Sequence, residues 1–213
     1  MRVTRSFAVI GACALWAACS KGADKSDTAA ADTSHPAAAA TDTSGKMAAA
    51  TPQLSDANIA AILDNANAAD STAGKIASTK GTNAEVKDFG RMMMRDHHSL
   101  RKQGQDLVKK LKVTPQMPAG DTSEAAAKHW ADSLNAMPKG AAWDKAYMDH
   151  EVSYHEAVLQ TAQTAEGAAQ NAELKDLIKK AAPNIQAHLD KAKAIQQKLS
   201  DTTSTAAKGA KKK

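Results

Sequence analysis

Beyond its first twenty residues the sequence has no cysteine. Of 213 residues only Cys13 and Cys19 are cysteines, so the rest of the chain holds no disulfide, thiolate metal site or cysteine nucleophile. Aromatic residues are scarce at 3%, so the core is expected to be modest rather than aromatic-rich. The longest apolar run, Phe7 to Ala18, is too short to span a membrane as a helix. No stretch alternates with the period of two that marks a strand. There is no G-x-S-x-G elbow, phosphate-cradling glycine loop or H-E-x-x-H zincin motif. With no nucleophile or acid–base pair to name, the sequence leans away from an enzyme.

An excess of basic charge is also missing from the body. The net charge is +5, but Arg2, Arg5, Lys208, Lys211, Lys212 and Lys213 supply it. Subtracting those six leaves −1 for residues 20–207. A nucleic-acid binder needs a basic face that neutralises several phosphates, and nucleic acid is not an expected partner.

What is present begins with an export-type leader. Arg2 and Arg5 precede the apolar run, and "WAAC" closes it at residues 16–19. A cysteine at that point, followed by the polar "SKGADKSD", reads as a bacterial lipoprotein signal with Cys19 as the acylated first residue of the mature chain. Trp16 departs from the aliphatic residue usual three places before such a cysteine. Cys13 in "IGAC" is a weaker alternative because its apolar region is shorter, and cleavage around Ala12-Cys13-Ala14 would instead give a free protein. Residues 20–53 are mainly Ala, Thr, Ser and Asp. They cannot bury enough surface to offset ordering entropy, so a disordered tether is expected there. The basic tail, 201–213, reads the same way. Localisation is expected in the bacterial cell envelope, facing the periplasm, as an outer-membrane lipoprotein. Its partner would be the membrane through the lipid anchor, with weak cell-wall or anionic-lipid contact by the lysine tail.

Between the tails, residues 54–200 have helical period throughout. A first helix starts after Ser55 and stops near Lys80-Gly81, with Gly81 as a C′ residue. A second opens on a Thr82-x-x-Glu85 capping box and runs to Leu111. A short extra helix is expected around 123–136 and a break at Pro138-Lys139-Gly140. Two more long helices follow over about 141–166 and 171–199, with Pro183 bending the last. The fold class is all-α, an antiparallel four-helix bundle with one short helix in its long connection.

Each long helix carries one polar, metal-competent residue on its apolar face: Asp70, His97, His155 and His188. Counted from the inter-helix turns, they fall within roughly one helical turn of a common level. Glu151, one turn before His155, shares its face. Buried alone such groups are costly. Three imidazoles and a carboxylate suit one zinc, copper or iron ion. A hydrogen-bonded buried network without metal, in a non-catalytic structural or interaction module, is the competing reading. In "MMMRDHHSL" at 92–100 only Met93, His97 and Leu100 lie on the inward stripe, and Asp96 flanks it as a group to orient a histidine. Met93 reads as core filler, and a copper(I) site using Met93 and Met148 is the poorer reading. His98, His129 and His150 fall off the stripes.

The segments "NAADSTAGKIA", "VKDFGRMMMRDH", "WDKAYMDHEVSYHEAVL" and "LKDLIKKAAPNIQAHLDKA" resemble, in order and spacing, the bacterial ferritin-like family catalogued as domain of unknown function 4142, often labelled as an outer membrane protein. Its marks match Asp96-His97, Tyr147, His155 and His188, with Asp70 where the family commonly carries Glu. The resemblance implies an exported, often lipid-anchored four-helix bundle with no established reaction; Tyr147 and Asp96 read, from their places beside the polar cluster, as residues that support it. A di-iron centre is not expected. That centre needs Glu-x-x-His on two helices, and Met94 and Ile185 stand where those glutamates would be.

Overall fold

The computed structural model describes residues 54–210, with side chains to 202; the leader, Cys19 and the whole of the tether lie outside that range. Five helices and no strand occur among the described residues: α1 (Asp56–Lys80), α2 (Ala84–Leu111), α3 (Ser123–Ala136), α4 (Ala141–Ala168) and α5 (Ala172–Ala210). They form a helix bundle in which α1 packs along α2 and α4 along α5. No helix among these residues is long and apolar enough to cross a membrane.

The boundaries follow local chemistry, with three departures from expectation. Ser55 caps α1 as its spacing predicts, in a reciprocal box with Asn58. Gly81 is not left-handed: its φ of −52° and ψ of 148° are extended. It is glycine because a Cβ there would stand 2.8 Å from the Ala77 carbonyl oxygen. Thr82 does not cap α2. Its N–H and hydroxyl, with the N–H of Asn83, go to the buried Asp144 carboxylate at the start of α4. The cap passes to Asn83, whose side chain accepts from the N–H groups of Glu85 and Val86. Finally, α5 continues as helix to Ala210, past the end expected near 199. It contains Pro183, which has no N–H to give to the Lys179 carbonyl. The segment after Ser200 has no proline and a single glycine, so it lacks the strongest helix breaker.

The two hairpins repeat one design. "NAEVKDF" opens α2 and "NAELKDL" opens α5, each after an asparagine cap. Asp144 grips the α1–α2 turn. Asp56, at the start of α1, grips the α4–α5 turn by accepting from Gln170 and Asn171 N–H at 2.8 and 3.1 Å. One spacing separates Asp56 from Asp144 and Asn83 from Asn171. Each hairpin turn is thus held by an acid from the other hairpin.

Burial falls into two apolar clusters. One holds Phe89, Met93, Trp143, Tyr147 and Met148 with their aliphatic neighbours. The other is smaller and aliphatic, with Ile59, Ala162, Leu174 and Ile178. Within the first hairpin, Gly74 and Gly90 let backbone meet backbone. A Cβ on Gly74 would lie 2.6 Å from the Gly90 carbonyl oxygen, and one on Gly90 would lie 2.7 Å from that of Gly74. This crossing brings Asp70, one turn before Gly74, opposite His97, one turn after Met93.

Candidate metal centre

Between the apolar clusters lies a layer of buried polar side chains from four helices: Asp70 on α1, His97 on α2, Glu151 and His155 on α4, and His188 on α5. None is more than 4% exposed. The ring centroids of His97, His155 and His188 stand 5.2 to 5.6 Å apart. One ligand atom from each of these three lies within 4.8 Å of the others, and the same holds for Asp70, Glu151 and His155. The four residues expected to share a level therefore come together as two overlapping triads joined at His155. Glu151 is a full member of the second. Asp70 also meets the first, its Oδ2 being 3.5 Å from His97 Nε2.

Each histidine is tied down through one ring nitrogen. His97 Nδ1 lies 2.9 Å from Asn67 Oδ1, and the Asn67 amide nitrogen donates to the Leu63 carbonyl at 2.7 Å, which fixes which way the amide faces. His155 Nδ1 lies 2.9 Å from the Glu151 backbone oxygen. His188 Nε2 lies 3.2 Å from Asp96 Oδ2. All three partners are oxygens that accept, so the facing nitrogen carries the proton and donates it. The other nitrogen of each neutral ring is left with a lone pair. Those nitrogens, His97 Nε2, His155 Nε2 and His188 Nδ1, have no hydrogen-bond partner. Neither do Asp70 Oδ2, both Glu151 carboxylate oxygens and the Tyr147 hydroxyl. The Tyr147 hydroxyl stands beside Glu151 without meeting hydrogen-bond geometry.

Electrostatics follow from burial. Desolvation, then repulsion from His155 and His188, lowers the His97 pKa from 6.5 to about 3. Desolvation lowers His155 to about 4 against the opposing pull of the Glu151 carbonyl. His188 is also lowered by burial, with Asp96 opposing. The acids move the other way. Burial, helped by the charge of Glu151, holds Asp70 well above its usual 3.8. Burial raises Glu151 from 4.5 to about 8, with Tyr147 drawing it back. Tyr147 itself is pushed well above 10, first by burial and then by the two carboxylates. Without a cation, burial favours the neutral form of the imidazoles and of both acids. A bound cation would reverse the cost of ionising both acids, so binding would release protons.

The arrangement has the chemistry of a metal-ligand set. Histidine ligands are usually oriented by an oxygen on the other ring nitrogen, and all three here are. Tetrahedral ligands with bonds of about 2.0–2.1 Å are about 3.3 Å apart, so closing the histidine triad on an ion needs shifts on the order of 1 Å. Met93 and Met148 pack in the aromatic cluster, as filler does. Among the off-stripe histidines, His98 and His129 are exposed. His150 is half-buried and stacked 4.1 Å from Trp130 and 5.4 Å from Tyr154. Sequence reasoning missed Asn67 as the His97 tether and Asp144 as the turn clamp. The repeated "NAE" caps would have pointed to paired hairpins, and through them to a partner for each turn.

Comparison with known proteins gives one family. The model described as Domain of unknown function (DUF4142) matches residues 37–195. No curated protein and no solved structure matches the chain.

Proposed function

The chain belongs to the family described as Domain of unknown function (DUF4142), and from that premise we propose that it is an envelope protein whose helix bundle binds one transition-metal ion. Its ligands are His97, His155 and His188, with a carboxylate from Asp70 or Glu151 completing the shell. The four long helices form an antiparallel, ferritin-like bundle around it. The observation that carries this reading is the set of three buried imidazole lone pairs, each fixed in tautomer by an oxygen on the far nitrogen and each lacking a donor. Buried polar atoms are seldom left this way, and a Lewis acid satisfies all three at once. The donor set of imidazoles and a carboxylate suits zinc, copper(II) or iron. One ion is proposed because both triads draw on His155 and are overlapping parts of one site.

The same proposal places the protein at a membrane through an acylated Cys19, with residues 20–53 as a leash. Its span would be roughly 30–35 Å from about 5–6 Å times the square root of its length. Elemental analysis of untagged full-length protein, then titration with zinc and copper, tests the metal. We expect one equivalent bound with a Kd below about 1 μM, near −8 kcal/mol, and loss of that binding in His155→Ala. Metal-free protein with no affinity tighter than this would refute the proposal and favour a purely hydrogen-bonded layer.

A further inference from the structure

Only five phenylalanine, tyrosine or tryptophan side chains occur among the described residues, and all five lie on two runs of rings that end at His155. The first run is core. Trp143 stacks on Tyr147 at 5.5 Å, Tyr147 meets Phe89 at 6.2 Å, and Phe89 meets His155 at 6.4 Å. All four are fully buried, and Trp143 gives its N–H to the Leu134 carbonyl at 2.9 Å. The second run starts at the surface. Trp130 on α3, half-buried, stacks on His150 at 4.1 Å with 22° between the ring planes. His150 stacks on Tyr154 at 5.4 Å and 20°, and Tyr154 meets His155 edge-on at 6.4 Å.

Packing alone does not account for the second run. The Trp130 indole N–H is buried without a partner, a cost that a leucine in the same place would avoid. The Tyr154 hydroxyl reaches only the Ala66 carbonyl, at 3.5 Å, beyond the usual range of a hydrogen bond. What a leucine lacks is a π-system that gives up an electron readily, and indole is among the side chains that do so best. Electron tunnelling falls steeply with distance. A series of rings in near contact therefore carries an electron much faster than one jump of the same total length.

We propose that Trp130 is an electron relay between the buried ion and a one-electron oxidant that meets the α3–α4 surface, with the His150 and Tyr154 rings as its bridge to His155. The relay rests on the metal reading above and narrows the ion to one with two oxidation states, copper or iron. The exchange balances without moving a proton. Trp130 gives one electron to the outside oxidant and becomes a radical cation, and one electron from copper(I) or iron(II) crosses the bridge and restores it. The net change is one electron from the ion to the oxidant, and every side chain returns to its starting state.

The test is flash photolysis of full-length protein carrying Trp16→Phe, with photogenerated ruthenium(III) tris-bipyridine as the oxidant. Trp143 is fully buried, so in this background Trp130 is the one tryptophan with exposed surface. Metal-free, zinc-loaded, and copper-loaded, anaerobically reduced samples are compared after their metal content is measured. The flash should produce a tryptophan-radical absorption that Trp130→Phe abolishes. Its lifetime should be the same in metal-free and zinc-loaded protein, since zinc has no electron to give. It should be at least tenfold shorter in the copper(I) sample, with copper(II) appearing in the electron paramagnetic resonance spectrum. His150→Leu and Tyr154→Leu should each restore the long lifetime while keeping wild-type copper content, and Tyr154→Phe, which keeps the ring, should stay short. Protein that takes up no copper would remove the metal reading and the relay with it. Copper bound at one equivalent would overturn the relay alone if the lifetime equals that with zinc, if both leucine variants stay as short as wild type, if Tyr154→Phe is as long as Tyr154→Leu, or if no radical traceable to Trp130 forms.

Discussion

Replacing Gly90 with alanine should destabilise the protein even though the same change elsewhere in α2 should stabilise it. A Cβ on Gly90 would lie 2.7 Å from the Gly74 carbonyl oxygen and 2.8 Å from both Ala77 Cβ and Ser78 N. Ordinary contacts begin near 3.4 Å, and the obstacles are backbone or Cβ atoms of a packed helix that cannot rotate away. The α1–α2 pair must open by several tenths of an ångström. Overpacking of this kind costs about 1–3 kcal/mol, offset by about 0.5–1 kcal/mol of helix propensity gained over glycine. A net loss of about 1–2 kcal/mol remains. At about 2–4 °C per kcal/mol for a domain this size, the melting temperature should fall by about 2–8 °C. Gly104→Ala, which meets nothing within 4 Å, should gain the propensity term alone and melt about 1–4 °C higher. Gly74→Ala should behave like Gly90→Ala. The double variant should cost less than the sum, because one opening relieves both contacts. Thermal and urea denaturation followed by circular dichroism measure all four. A Gly90→Ala protein as stable as wild type would refute the close crossing, and with it the placement of Asp70 against His97.

Further outcomes follow from the same geometry. Asp96→Ala and Asn67→Ala remove the oxygens that orient His188 and His97. Each should weaken zinc affinity about 10–100-fold in a competition titration, and unchanged affinity would count against the tethering role. Asp144→Ala strips the acceptor from the N–H groups of Thr82 and Asn83. At about 1–3 kcal/mol for each stranded group, it should cost about 2–6 kcal/mol in denaturant unfolding. In ion-free protein the lowered histidines, His97, His150, His155 and His188, bind fewer protons folded than unfolded. Stability should therefore fall as pH drops below about 6.5. The raised acids, Asp70 and Glu151, bind more protons folded, so stability should also fall as pH rises from about 6.5 to about 8. A melting temperature still climbing over that upper range would contradict the raised acids. Cys19→Ala should move the protein out of the membrane fraction, since acyl chains contribute about 0.8 kcal/mol per buried methylene. Deleting residues 208–213 should leave fractionation unchanged, and membrane retention of Cys19→Ala at wild-type level would defeat the anchor.

The helices were readable because their signals are local. The Ser55 cap, the Pro138–Gly140 break and the apolar stripes all act within one or two turns, and the structure puts helix ends close to where they point except at α5, which runs on to Ala210. Asp70, His97, His155 and His188 stood out because a polar residue on an apolar face needs a partner, and all four are buried. What escaped the sequence depends on distant chain. The Thr82-x-x-Glu85 pattern is a sound capping box by itself, but Asp144 captures Thr82 from another hairpin. Asn67 sits beside the α1 stripe and reads as a surface amide until α2 packs against it. The Gly74–Gly90 approach is visible only as two ordinary glycines until the helices cross. Glu151, one turn before His155, looked optional by spacing, and its full burial makes it a member of the layer.

X-ray absorption at the metal edge of full-length protein loaded with one equivalent of zinc tests the central claim most directly. Three imidazole nitrogens at about 2.0–2.1 Å with one carboxylate oxygen, reduced to two nitrogens in His188→Ala, is the predicted result. A shell of water and carboxylate oxygens, unchanged by His188→Ala, would contradict it.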